Sequence, residues 1–112
     1  MKQYVFLIGI ILAVSTNGKA QTNPIAQQAK GITQFFSDTL HTTAWVSDSI
    51  YAINLQLGAQ KLRVWETQTH PDSVKLQLQQ IENMRNVLYK PLLDRTQYAQ
   101  YLKRKNEILR AY

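Results

Sequence analysis

Cysteine is absent from the 112 residues, which excludes disulfides, thiolate metal sites and thiol redox chemistry. Glycine (4) and proline (3) are scarce, so the chain is cut into a few long elements rather than many short ones. The seven acids stand singly along the chain, and no carboxylate pair is spaced for general acid and base roles. No glycine-rich phosphate loop, HExxH or GxSxG occurs. The two histidines, His41 and His70, each fall in a break between periodic segments, and neither has carboxylates at metal-ligand spacing. Sustained strand alternation is missing, as are Asn-Gly or Asp-Gly turns between apolar runs. These absences leave no proposal for an enzyme, a metal or a cofactor.

Long apolar runs are equally few, and the one that stands out is Tyr4 to Val14. Lys2 precedes it, and small residues at Gly18 and Ala20 follow, which is the three-part layout of a secretory signal. The run is too short for a bilayer span, which takes about 20 apolar residues. The expectation is cleavage after Ala20, a periplasmic or secreted product, and no stable membrane insertion afterwards. Residues 21–112 then form one domain. The signal holds Lys2 and Lys19 and no acid, so the +6 of the whole chain falls to +4. That balance is too modest and too spread for a nucleic-acid surface.

What is present is helical periodicity. After the polar leader Gln21–Pro24, Ile25, Ala29, Ile32, Phe36 and Leu40 recur every three or four residues and predict a helix over 25–40. Residues 40–45 read as a connection. Ser47 and Asp48 are the predicted caps of a second helix. Its apolar positions form two neighbouring stripes: Ile50, Ile53, Leu57 and Val64, then Tyr51, Leu55, Leu62 and Trp65. Together they are wider than the stripe of a surface helix, so this helix meets two neighbours or keeps part of its face for a partner. His70-Pro71 breaks it, and Asp72 or Ser73 is predicted to cap the third helix, with Val74, Leu78, Ile81, Met84 and Leu88 on its apolar face. Pro91 stops or kinks that helix. Asp94 and Gln97 have capping-box spacing, and Tyr98, Tyr101, Leu102, Lys105, Ile108, Leu109 and Tyr112 follow on a fourth helix. The predicted class is all-α: an extended antiparallel helical hairpin of three to four helices.

Two features invite partners. The Tyr51, Leu55, Leu62 and Trp65 stripe, with Lys61 and Arg63 beside it, reads either as core or as a surface for other proteins. A basic end, Lys103, Arg104, Lys105 and Arg110, suits either the helix dipole or a patch for acidic partners or an anionic membrane surface.

Leu93-Asp94-Arg95-Thr96-Gln97 resembles the Leu-Thr-x-x-Gln motif of the Spy/CpxP-like periplasmic helical proteins, with Asp94 standing where the capping Thr would be. A degenerate first copy maps onto Val46-Ser47-Asp48-Ser49-Ile50, where Ser47 keeps the cap. The resemblance spans about 27–112. It implies an extended hairpin that pairs into a homodimer and an ATP-independent chaperone or stress protein, binding unfolded or envelope proteins without a cofactor. The metal-binding histidines and acids of some relatives are not found here. The alternatives are a dedicated module for one envelope partner or a metal-responsive relative.

Overall fold

The computed structural model describes residues 23–111, with the side chains of the last two left aside. The expected export signal, its expected cleavage point after Ala20, and Gln21, Thr22 and Tyr112 lie outside the described residues. Among those described the fold is all-α, with four helices: α1 (Pro24–Thr39), α2 (Ala44–Thr67), α3 (Pro71–Tyr89) and α4 (Arg95–Ala111). A 3₁₀ turn at Lys90–Leu92 joins the last two.

Each start has a local cause. Asn23 Oδ1 accepts from the N–H groups of Ile25 and Ala26, and Pro24 fills the first helical position, where its missing N–H costs nothing. The predicted cap at Ser47 is not where α2 begins. Thr43 is the cap, its hydroxyl accepting from Val46 N–H at 3.3 Å. Ser47 N–H already bonds Thr43 O inside the first turn, and its hydroxyl pairs with Thr42 Oγ1 at 2.7 Å. Ala44 and Trp45, read as connection, are therefore helical. The third helix also starts earlier than expected: His70, not Asp72 or Ser73, is the cap, with Nδ1 accepting from Asp72 N–H at 3.3 Å. Pro71 explains the shift, since it favours the first helical position and forces its predecessor to be extended. At the end of α1, His41 takes φ 56°, a left-handed turn that lets Thr42 N–H reach back to Phe36 O at 3.4 Å.

The capping box at α4 is reciprocal. Gln97 N–H donates to Asp94 Oδ1 at 2.7 Å, and Asp94 N–H donates to Gln97 Oε1 at 3.0 Å. The other end of the Gln97 amide donates to Leu40 O at 2.9 Å, which ties the start of α4 to the end of α1. Leu93, just before the box, is buried.

Side-chain pairings fix the topology. Ile25 lies against Gly58, Asn54 against Tyr89, Lys61 against Glu82, and Lys105 against Glu82 and Asn86. Every sequential pair of helices is thus antiparallel. The predicted α2–α3 hairpin is present, and α1 and α4 fold onto it to make a four-helix, up-down-up-down bundle. Its extents are 39 × 32 × 29 Å, the long one matching a 24-residue helix at about 1.5 Å per residue. One core runs through it, from Ile32 and Phe36 through Ile50, Ile53 and Leu57 to Ile81, Leu88, Tyr89, Tyr101 and Ile108. At its centre Phe36, Tyr89 and Tyr101 meet ring to ring, with centroids 4.9–5.8 Å apart.

Candidate functional site

The stripe Tyr51, Leu55, Leu62, Trp65 is divided by its neighbour. α1 crosses the first half, where Ala29, Ala52 and Leu55 form a small apolar cluster with Ile25, Ala26 and Tyr51 packed around it. α1 begins at Pro24, beside Gly58. A Cβ at Gly58 would stand 2.6 Å from Ile25 Cγ2, so glycine is what lets the two helices approach there. Beyond that point no helix follows the stripe among the described residues. Leu55 is 5% exposed, whereas Leu62, two turns on, is 47% exposed and Trp65 63% exposed. Of the six candidates for partner binding, Leu55 is core and Tyr51 is half-buried against α1, because α1 reaches them. Leu62, Trp65 and Arg63 are on the surface.

Lys61 does not rim the stripe as a free cation. It turns toward α3 and pairs with Glu82 Oε2 at 2.5 Å. Glu82 is the hub of a polar network absent from the sequence reading. Arg85 Nε donates to Glu82 Oε1 at 2.9 Å and its NH2 to Oε2 at 3.1 Å, while Lys105 Nζ stands 3.7 Å from Oε1. On the inner side, Arg85 NH1 donates to Asn54 Oδ1, and Asn54 Nδ2 donates to Tyr89 Oη at 2.6 Å and to Ile50 O at 2.7 Å. Tyr101 Oη and Lys105 Nζ both donate to Asn86 Oδ1, at 2.7 and 3.0 Å.

Electrostatics follow from this packing. Burial by itself pushes the Glu82 carboxyl up, but Arg85 first and Lys61 second outweigh it and hold its pKa at about 2. Burial works against the Arg85 charge, and Tyr89 and Glu82 more than offset it, so the guanidinium lies above its usual range. Burial raises the phenols of Tyr89 and Tyr101 and lowers the Lys105 ammonium. Three cations and one carboxylate meet here, and no buried side-chain donor or acceptor among the described residues is left without a partner. Such a network fixes the register of three helices. Every group in it is committed to another, which suits it to holding the fold rather than to moving protons for a substrate.

The signal for this network was in the sequence. Asn54 interrupts the apolar stretch Ile50–Leu57, and Glu82 and Arg85 lie between Ile81 and Leu88 at i,i+3 spacing. Polar residues inside an apolar face ask for partners, although their being 31 and 35 residues apart hid which ones.

A second concavity lies between α1 and α2, a polar crevice of ≈ 340 Å³ lined by residues that include Lys30, Thr33, Asp48 and Tyr51. It is open, and Thr33 and Ser47 spend their hydroxyls on Ala29 O and Thr42. Among the described residues no three histidine or acidic side chains gather as a metal site. None of the described helices is long and apolar enough to cross a membrane. Searches against family models, curated proteins and solved structures find no match to the chain.

Proposed function

We propose that the protein is a non-enzymatic, exported helical binding protein that shields apolar segments of unfolded or partner proteins without ATP. The carrying observation is the bare half of the α2 stripe: Leu62 and Trp65 stand exposed where α1 has stopped covering the helix. Such residues are costly to expose in a small domain, and large exposed apolar side chains in register mark binding surfaces. Arg63 beside them, and the positive balance of the chain, speed encounter without deepening the grip. Unfolded chains present apolar segments that aggregate unless covered. The Spy/CpxP-like reading belongs to the same proposal. It rests on the Leu93–Gln97 segment, whose cap is closed on both sides, and not on Val46–Ile50, where Ser47 is no cap. An envelope location rests on the signal-like first twenty residues.

A light-scattering assay tests the proposal. Stoichiometric protein should suppress the aggregation of a chemically denatured client on dilution, and replacing Leu62 and Trp65 together with serine should abolish the effect. Unchanged scattering in the presence of the unaltered protein would reject the reading.

A further inference from the structure

The polar crevice between α1 and α2 holds two opposite charges that do not meet. Lys30 on α1 and Asp48 on α2 both line it, yet the ion pairs among the described residues all converge on Glu82. The helix directions explain why. Ile25 lies against Gly58, so Lys30, five residues on along α1, stands level with Ile53 on the antiparallel α2. Asp48 is five residues back from that level, about 7–8 Å at the rise of an α-helix. Side chains lean toward the start of their own helix, and the two helices run in opposite directions. Lys30 and Asp48 therefore lean away from each other, and the fold holds a cation and an anion apart at the two ends of one cavity. Ser37 and Tyr51 add hydroxyls to its lining that no group among the described residues engages. The Tyr51 ring packs against the Ala29, Ala52 and Leu55 cluster, which fixes that wall of the crevice.

A ligand that carries both charges, set apart by the same span, answers this arrangement. We infer that the crevice binds a short peptide with free ends, its ammonium at Asp48 and its carboxylate at Lys30. Two extended residues span about 7 Å, which matches the separation of the two levels. A free amino acid carries both charges on one carbon and reaches only one end. A simple anion would meet Asp48, and a simple cation would meet Lys30, each a like charge in the same cavity. The hydroxyls of Ser37 and Tyr51 offer a donor and acceptors to the peptide group between the ends. The volume of ≈ 340 Å³ is at the small end of ligand clefts. Because the crevice is open, the ligand's side chains project into solvent, and recognition falls on the two ends rather than on the sequence. None of these residues belongs to the bare half of α2, so the inference stands or falls apart from the proposed function.

Titration of the isotope-labelled protein with L-alanyl-L-alanine, followed by its amide chemical shifts, tests the inference. Shifts should gather on residues 30–37 and 47–51 and saturate with a dissociation constant of about 1 mM, the scale of a small ligand in an open site. Acetylating the peptide's amine or amidating its carboxyl should each weaken binding about tenfold, through loss of a charge-assisted contact. Lys30→Ala and Asp48→Ala, both at exposed positions, should do the same with an unchanged far-ultraviolet circular dichroism spectrum. The charges should also pair off by end. Lys30→Ala should erase the difference between the free and the amidated peptide, and Asp48→Ala the difference between the free and the acetylated one. No saturable shift up to about 10 mM peptide, shifts centred away from the crevice, blocked peptides that bind as well as the free one, or variants that bind as well as the unaltered protein would each overturn the inference.

Discussion

Glu82 shows how much one side chain can carry. It is the single acid among three cations drawn from three helices: Lys61 on α2, Arg85 on its own helix, and Lys105 on α4. Its pKa falls from 4.5 to about 2 on folding. A carboxyl depressed in the folded state contributes stability that is fully present above the unfolded pKa and is lost as pH falls toward the folded one. The window is therefore pH 4.5 down to 2, and the difference corresponds to about 3 kcal/mol at neutral pH. Urea midpoints measured across that window should decline steeply. Glu82→Gln should lower the neutral-pH unfolding free energy by about 3 kcal/mol, since a buried Arg85 then lacks its counter-charge, and should flatten the acid limb. A variant whose midpoint falls with acid as steeply as that of the unaltered protein would show that other carboxyls govern the decline.

At the scale of the helices, the ends decide more than the middles. Gln97 closes the first turn of α4 and, through its amide nitrogen, holds Leu40 O at the end of α1. Gln97→Ala removes the bond to the Asp94 N–H and leaves the half-buried Leu40 carbonyl without that donor. The expected loss is about 1–2 kcal/mol, with faster hydrogen exchange at the α4 start. Thr96→Ala, one residue away and exposed, should change stability by less than about 0.5 kcal/mol. The same ends mark what was legible in the sequence. Ile32, Phe36 and Leu40, or Val74, Ile81 and Leu88, announce their helices because a 3.6-residue period has one reading. The capping box at Asp94 and Gln97 was equally plain, because both partners are local. The start of α2 was not: Thr42, Thr43, Ser47 and Asp48 all offer a side-chain oxygen within seven residues, and the choice of Thr43 depends on where the chain leaves His41. Tyr51 and Leu55 read either as core or as partner surface for a related reason. They share a stripe with Leu62 and Trp65, and only the point at which α1 begins separates core from surface.

For the whole molecule, that starting point divides a single helix into two kinds of work. From Ser49 to Gly58, α2 is the central helix, buried on nearly every side. Beyond it, Val64 still packs on the core, while Leu62 and Trp65 face outward. Stability and binding should therefore separate along one line of residues with the same chemistry. Leu55→Ala deletes a buried side chain beneath α1 and should cost about 2–4 kcal/mol through lost transfer energy and the cavity left behind. Leu62→Ala removes an exposed one and should shift stability by less than about 0.5 kcal/mol, yet weaken the suppression of client aggregation. Thermal melts and light scattering on the two variants decide the matter together. If Leu62→Ala destabilises the protein as much as Leu55→Ala, its face is covered in solution and α2 is core along its whole length. If both variants protect clients as well as the unaltered chain, the bare half of the stripe is not what holds them.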